Sequence, residues 1–406
     1  MIVKVAWRNV WRNKVRSTVV ILAIATGLLA GVFASAFVRG MMAQRIDSVI
    51  RMEMSHFQYH HPKFRDKLEA QFFIPNGEGI VANMAQNDSV KGVSGRLIAM
   101  GSVNSARSNG MLKLNGIDAA AEALVTGIDQ KVVEGEFLPS EWNKRSLPIV
   151  ISQELAEKYQ VKLRSKLIFK LMDVHHNIND GAFKVVGIYD TGNLLYDKMN
   201  VFVRKDHLAG LLAVEEGGLH EIAVLLNEHD WAEPMAEAQA AANPELEVLP
   251  WMDLALGMRY MIEAMGVYTY VIVGIILVAL LFSIINTMLM AVLDRIREFG
   301  MLMAVGMKKG RIFSMILLET VFLSMIGGPL GLGISYLLIS YFGQHGINLA
   351  GAAYDQYGFA STIYPTLDGM TYFNVTIMVL VMAVLASLYP AIKALRLNPV
   401  EAIRKL

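Results

Sequence analysis

Cysteine is missing from all 406 residues of the chain. Its absence removes iron–sulfur clusters, thiolate zinc sites, CxxC redox chemistry, a cysteine nucleophile and cysteine-linked lipid anchors. It says nothing about compartment, because a large exported domain can fold without disulfides. Charge is also scarce: 18% of residues are charged, against about 25% in an ordinary soluble domain. A net charge of +1 gives no whole-chain case for nucleic-acid binding. HExxH and GxSxG are absent, and so is a phosphate loop: the nearest segment, Gly306-Met307-Lys308-Lys309-Gly310, lacks both the spacing and the preceding strand that would place backbone amides around a phosphate. No cofactor is expected in this chain, and any ATP and Mg would be bound by a partner.

What the chain has in excess is apolar residues, 54% of the total, with a mean hydropathy of +0.41. The excess is concentrated in four places. Ser17 to Val38 is a run of 22 residues without a charge, a helix of about 33 Å at ~1.5 Å per residue, enough for a bilayer core. Residues 264 to 293 form a second charge-free run, a third begins after Arg311 and is broken only by Glu319, and a fourth covers residues 369 to 392. Four transmembrane helices are therefore expected, at 17–39, 264–293, 312–342 and 369–392. Ala34-Ser35-Ala36 resembles a signal-peptidase site, but the apolar stretch is longer than a cleaved signal requires, so an uncleaved anchor is expected.

Lys and Arg near the span ends set the orientation. Residues 1–16 carry Lys4, Arg8, Arg12, Lys14 and Arg16; the connection 294–311 carries Arg295, Arg297, Lys308, Lys309 and Arg311; the tail 393–406 carries Lys393, Arg396, Arg404 and Lys405. Asp294, Glu298 and Glu401 are the acids among them. All three segments are expected to be cytoplasmic, with both termini on the inner side of the membrane and residues 343–368 outside. Residues 2 to 16 place Val3, Trp7, Val10 and Trp11 at helical spacing. Two readings of this segment stay open, an amphipathic helix on the inner membrane surface and a plain extension of the first span.

Residues 40–262 read as a folded extracytoplasmic α/β domain. Strands are expected at 52–59 and 93–104 around a short helix at 78–87, and the same order recurs as a strand at 221–227, a helix at 231–242 and a strand at 246–250. Two such βαβ units can pair into one split layer, with a β-rich lobe inserted between them, including strands at 166–172 and 183–189. Eight of the nine histidines lie here, with His56, His60 and His61 clustered and His175 next to His176. No carboxylate shares a recognised ligand spacing with them, so hydrogen-bonded or surface histidines are expected rather than the metal site of a membrane-anchored enzyme or sensor.

In the third span Glu319 lies eight residues past Arg311, about 12 Å along the helix. A structural ion pair with a basic residue of the 294–311 turn is expected, with proton relay as the alternative. Gly327, Gly328, Pro329, Gly331 and Gly333 crowd one stretch of the same span, where close packing and a kink or hinge are both open. Met288, Met290, Met301, Met303, Met307 and Met315 are expected to be adaptable packing residues. The turn itself interleaves Ile296, Phe299, Met303 and Val305 with Arg295, Arg297 and Glu298, and reads equally as a tip seated in a partner's groove and as a solvated connection.

Arg297, Glu298, Gly300, Ala304 and Gly306 match the pattern R-E-x-G-x-x-R-A-x-G, with Met303 where the pattern has its second Arg. Glu319 with Gly327-Gly328 matches an E…GG pattern. WRNVWRNKVRSTVVILAIATG near the start and PAIKALRLNPVEAIR, Pro390 to Arg404, add to the set. On these residues the chain resembles the FtsX-like, MacB-type permeases of ABC transporters. GIYDTGNLLYDKMNVFV at 187–203, through Gly187, Gly192 and Asp197, and LKLNGID at 112–118 resemble its lipoprotein-releasing members, LolC and LolE. The resemblance implies a non-catalytic, mechanotransmitting subunit that works as a homo- or heterodimer with cytoplasmic ABC ATPase subunits. It implies ATPase coupling at Arg295, Arg297, Glu298, Gly300, Ala304 and Gly306, and release of lipoproteins, with a periplasmic carrier or lipoprotein and membrane lipids as further contacts. Small-molecule or peptide export and regulation of a cell-wall hydrolase are the alternatives that the same family offers.

Overall fold

The structure, a computed structural model, describes residues 2–104, 108–139, 142, 146–349 and 362–395. The tail residues Arg396, Glu401, Arg404 and Lys405, and residues 350–361 of the connection 343–368, lie outside them. The chain opens with α1 (Ile2–Arg12) and α2 (Lys14–Ser48), which runs into a π-helical turn over Val49–Met54. A mixed segment follows: β1 (Phe57–His60), α3 (Phe64–Lys67), α4 (Gly77–Met84), β2 (Val90–Asn104), β3 (Asn109–Ile117), α5 (Ala119–Thr126), β4 (Val132–Gly135), β5 (Leu147–Ser152) and α6 (Gln153–Tyr159). It continues through β6 (Lys166–Met172), β7 (Ile178–Tyr189), α7 (Leu194–Asp197), β8 (Asn200–Arg204), α8 (Lys205–Leu212), β9 (Glu221–Leu226), α9 (Ala232–Ala242), β10 (Glu247–Pro250) and α10 (Trp251–Leu254). Last come α11 (Leu256–Asp294), α12 (Ile296–Ala304), α13 (Lys309–His345) and α14 (Gly369–Leu395). The described residues form two compact units: a bundle of α1, most of α2 and α11–α14, and an α/β domain built from the mixed segment.

In the bundle, α2, α11, α13 and α14 are each long and apolar enough to cross a membrane. With them the protein is an α-helical, multi-pass membrane protein. All four helices outrun the expected spans, α13 and α14 by about one turn or less at an end and α2 and α11 by more: α2 continues past residue 39 to Ser48, and α11 begins at Leu256 rather than 264. Met41, Met42, Ala43, Gln44 and Arg45 are good helix formers, so nothing local stops the helix where the apolar run stops. For the same reason the strand expected over 52–59 is shorter, since residues 49–54 finish the helix as a π turn and pairing starts only at Phe57. The connection 294–311 is not open chain either, because α12 occupies its middle.

Ile24 and Leu28 of α2, Ile284 of α11, Ile316 of α13, and Val379 and Ala383 of α14 are buried in one core. A close approach is made between α13 and α2. A Cβ built on Gly327 would lie 2.8 Å from the Ile21 carbonyl oxygen, and one on Gly331 would lie 2.7 Å from that of Ala25. These two glycines, one turn apart, put the backbones of the two helices in contact. Gly328 would meet only Leu380 at 3.6 Å, Gly333 faces open space and Pro329 is exposed. Of the crowded glycine stretch, then, only the i, i+4 pair makes the seam.

The α/β domain holds the expected split layer with its β-rich lobe. Its strands run β10-β1-β9-β2, with β1 antiparallel to both β10 and β9, and β9 antiparallel to β2. Each βαβ unit is thus split by a strand of the other. The Tyr59 hydroxyl donates to Gln239 Oε1 of α9 at 3.0 Å and lies 3.4 Å from Met84 Sδ of α4, so both helices cover one face. β2 joins the two parts: Val90–Arg96 pairs with β9, and Leu97–Asn104 pairs with β3. Phe169, Phe183, Val201 and Leu208 fill the lobe. In β6 burial alternates strictly, with Leu167, Phe169 and Leu171 inside, as a half-buried strand requires.

The α2–α13 seam gives a clean test. Gly331→Ala and Gly333→Ala gain the same helix propensity, about 0.5–1 kcal/mol. Overpacking at Gly331 works against it by about 1–3 kcal/mol. In detergent the unfolding temperature is expected to fall for Gly331→Ala and to hold or rise for Gly333→Ala; equal shifts would show that the seam is not tight.

Candidate functional site

At the end of α11 the chain bends at Arg295, whose backbone (φ −110°, ψ 14°) leaves the helix and starts α12. Arg295 is 6% exposed, and a buried guanidinium is tolerated only with partners. It has three. Nη1 donates to Glu319 Oε1 at 2.9 Å, Nε donates to Glu298 Oε2 at 3.1 Å, and the guanidinium carbon lies 5.2 Å from the centre of the Phe299 ring. Glu319 Oε1 also accepts from Asn9 Nδ2 of α1 at 2.8 Å, and Glu298 accepts from Arg12 at the end of α1. One network of balanced charge therefore ties α1, α12 and α13 together. Partial burial pushes the Glu298 carboxyl up, but Arg12 and Arg295 more than offset this and hold it below the ordinary carboxylate range.

The six residues named for coupling divide into two groups. Arg295, Glu298 and Gly300 face inward or flank the charge network, with Phe299 fully buried beside them. Arg297, Ala304 and Gly306 are exposed, together with Met301 and Val305, the latter 89% exposed. Gly306 has φ +94°, the left-handed region that glycine occupies without strain, and it turns the chain from α12 into α13. Glu319 forms the expected ion pair, with Arg295 as its partner. Asn9 and Arg12 are the members that sequence reasoning missed; the usable signal was Asn9, a polar residue beside Ala6 and Val10 on the buried face of α1. The methionines divide too: Met288 and Met315 are in the core, Met290 and Met301 are exposed.

The domain motif at 187–203 has a local structural basis. A Cβ on Gly187 would lie 2.3 Å from the Glu136 carbonyl oxygen, and Gly192 has φ +74°. Asp197 is buried, accepts from the Thr191 hydroxyl at 2.7 Å and from the Thr191 amide at 3.2 Å, and is pushed up by burial to about 6. The motif is a tight loop wrapped around one carboxyl.

The clustered histidines do not converge. His56 Nδ1 accepts the Leu226 amide at 2.8 Å, and His60 Nε2 lies 2.9 Å from Gln58 Oε1. His61 is only partly buried, and its Nδ1 accepts the Lys63 amide at 3.2 Å. His175 and His176 sit in the β6–β7 turn, where Asp173 accepts the His175 amide at 2.8 Å. Among the described residues no three His, Asp or Glu side chains are grouped to hold a metal ion. Sequence reasoning gave no sign of the ion triad beside them: Arg96, 6% exposed, forks onto Glu122 at 2.7 and 2.9 Å and reaches Glu221 at 2.6 Å.

Residues 270–399 match the family described as FtsX-like permease C-terminal, and residues 17–242 match the MacB-like periplasmic core domain. The chain is 32% identical over 148 residues to the macrolide export ATP-binding/permease protein MacB of Shewanella oneidensis, covering 36% of this chain and 19% of that protein. It is 31% identical over 159 residues to the uncharacterized ABC transporter permease YknZ of Bacillus subtilis, covering 39% and 36%. An uncharacterized ABC transporter permease of Methanocaldococcus jannaschii is 25% identical over 236 residues, 56% of each chain. The chain thus spans about a fifth of the length of the MacB relatives. Among solved structures, the extracellular domain of YknZ aligns at 15% identity and a TM-score of 0.34, covering 48% of this chain and 98% of that one. The periplasmic region of MacB from Actinobacillus actinomycetemcomitans aligns at 12% identity and 0.37, covering 52% and 95%.

Two outcomes follow for stability. Glu319→Ala takes the buried carboxylate away from Arg295, which keeps only Glu298, and is expected to destabilise the bundle by up to about 3–5 kcal/mol, whereas Arg12→Ala opens a half-exposed pair worth about 0–1 kcal/mol. Denaturant unfolding of the bundle checks the order of the two. In the α/β domain, burial lowers His56, His60 and His220 to about 4. Each folded-state pKa is below the unfolded value of 6.5, so their contribution is complete above pH 6.5 and is lost as pH falls toward 4. Asp197, raised to about 6, acts singly in the opposite direction. Thermal unfolding from pH 7 to 4.5 is expected to show a net loss. His220 accepts the Ile98 amide at Nδ1 and faces the Ala70 carbonyl at Nε2, both at 2.9 Å, and Gln can mimic both contacts without titrating. His220→Gln should therefore flatten the slope; an unchanged slope would contradict the assignment.

Proposed function

Since the chain belongs to the FtsX-like permeases with a MacB-like periplasmic core domain, we propose that it is the membrane subunit of an ABC transporter that converts ATP hydrolysis by a separate ATPase into movement of its α/β domain. The observation that carries this reading is the α12 tip: Met301 and Val305 stand exposed on a short helix whose other side is anchored by Arg295 and Glu298 to α1 and α13. An exposed apolar tip suits the groove of a partner, and a rigid mount lets a push on the tip reach the helices behind it. The chain itself supplies no phosphate loop; residues 305–308 link α12 to α13, and Lys309 and Gly310 already belong to α13.

In this reading the basic ends of the spans face the cytoplasm, the α/β domain lies outside a bacterial inner membrane, and a second permease, identical or paralogous, completes the complex. The apolar face of α11 with Val267, Val271, Ile275 and Phe282 exposed is available to lipid or to that second copy. The task is release of lipoproteins, supported by the 187–203 loop. A second reading, export of a small molecule, is supported by the similarity to a macrolide exporter over 148 residues.

The topology is tested by single cysteines, which the cysteine-free background makes clean. Cysteine at Ser165 and Thr366 should react with an impermeant thiol reagent on intact cells, and cysteine at Lys308 should not; labelling at 308 would overturn the orientation. For coupling, Val305→Asp changes a residue with almost no contacts within the chain, and it should remove the co-purifying ATPase and stop transport while the bundle keeps its unfolding temperature. Normal ATPase recovery and transport in that variant would make the tip a plain solvated link.

A further inference from the structure

α1 is a helix of its own and not a prolongation of α2. The Ser17 hydroxyl donates to the Val10 carbonyl, seven positions back, whereas in a continuous helix a serine hydroxyl reaches only the i−3 or i−4 carbonyl. Asn13 starts α2 afresh as its N-cap: its side-chain oxygen accepts the Arg16 amide at 3.3 Å and its carbonyl accepts the Ser17 amide at 3.2 Å. The depth of α1 follows from its contacts. α13 carries its last charge at Glu319, and residues 320–344 have none. Asn9 of α1 donates to Glu319 at 2.8 Å, and the Trp7 ring meets Phe322 edge to face at 5.3 Å. On α2 the charge-free run starts at Ser17, one turn before Ile21, whose carbonyl faces Gly327. α1 therefore lies where both apolar runs begin, the band in which tryptophan collects at a membrane–water boundary.

Three stripes run along α1 at i, i+4 spacing. Ala6 and Val10, with Asn9 beside them, form the buried seam. Val3, Trp7 and Trp11 form an apolar stripe that stays open: Trp7 is 44% and Trp11 48% exposed, and their rings meet edge to face at 6.0 Å. Lys4, Arg8 and Arg12 form a basic stripe, also exposed. At about 100° per residue, the apolar stripe lies between the seam and the basic one. Among the exposed apolar residues of α1 only Val5 lies off it. Residues 1–16 hold five cations and no acid. Glu298 takes up Arg12, but among the described residues no acid pairs with Lys4, Arg8 or Lys14.

We propose that α1 lies in the membrane interface and gathers anionic phospholipid. Val3, Trp7 and Trp11 rest among the first carbons of the acyl chains, and Lys4 and Arg8 reach past them to headgroups that carry a net negative charge. Zwitterionic lipid would cover the apolar stripe but leave both cations without a countercharge. An acidic groove of a protein would match the cations but not the apolar stripe beside them. Because α1 also supplies Asn9 to Glu319 and Arg12 to Glu298, the lipid that holds α1 acts on the mount of α12. The inference is independent of which cargo or ATPase the permease takes.

Tryptophan fluorescence of the full chain in nanodiscs tests this, since a phospholipid with brominated acyl chains quenches only the indoles it touches. The brominated lipid carries either a phosphatidylglycerol or a phosphatidylcholine headgroup and is titrated into phosphatidylcholine discs. The signal missing from a Trp7→Phe/Trp11→Phe chain is that of α1. Half-maximal quenching of it should need at least about fivefold less of the glycerol lipid, the scale of one cation at an anionic surface. Lys4→Gln/Arg8→Gln should bring the two lipids within about twofold of each other. Salt at about 1 M, where the screening length is about 3 Å, should do the same in the unaltered chain, which keeps the test readable if the variant misfolds. Equal quenching by the two lipids would make the stripe blind to headgroup charge, and no quenching would give the face to water or to a protein partner. Either result overturns the proposal, as does a preference that survives both the substitutions and the salt.

Discussion

Arg295 and Glu319 lie 2.9 Å apart, each less than a tenth exposed, at a place where neither charge has water to turn to. Burying one such charge alone costs several kcal/mol, and the pair survives only because the geometry and the extra donors are complete. Asn9 completes Glu319, while Glu298 and the Phe299 ring complete Arg295. Each completing group comes from an element that must be in place for the pair to exist: α1 for Asn9, α12 for Glu298 and Phe299, α13 for Glu319. The ion pair thus fixes the relative positions of three helices at once, in a bundle whose apolar packing alone is non-directional. It also explains how a nine-residue helix with an exposed apolar tip can hold a fixed pose.

The α/β domain solves a similar problem in another way. β2 is 15 residues long because it serves two sheets, pairing with β9 through Arg96 and with β3 from Leu97 onward. Arg96 sits at the changeover and is held by Glu122 of α5 and Glu221 of β9, so the joint between the split layer and the inserted lobe carries its own buried ion triad. Both units therefore use a fully partnered arginine where elements meet.

The spans were legible because charge-free runs of this length have one common explanation, and the split layer was legible because strand and helix patterns recur in the same order at both ends of the domain. Helix ends were not legible where good helix formers such as Met41 to Gln44 carry the helix beyond the apolar run. Residues 52–54 misled because Met52 and Met54 fit a strand pattern as well, and only continuation from α2 through Val49–Met54 decides for a π turn. At the candidate site the turn residues and Glu319 were visible as a basic cluster and a lone intramembrane acid. Asn9 and Arg12 were not, because their partners are some 290 to 310 positions away in the chain. The Arg96 triad was hidden for the same reason: Glu122 and Glu221 are ordinary acids in sequence and become partners only through strand register.

The central claim is that the Arg295–Glu319 pair holds α12 in place, and hydrogen exchange of the α12 amides in Glu319→Gln tests it most directly. Gln keeps the shape of the side chain and removes the charge, so Arg295 loses its buried carboxylate partner, keeping only the more exposed Glu298, without a cavity forming. The account predicts that amides 296–304 exchange at least about tenfold faster than in the wild type, through local opening of the turn, while β9 and β2 keep their protection. Unchanged exchange across α12 in a folded variant would show that the helix is held by apolar packing, and that the ion pair is not what positions the tip.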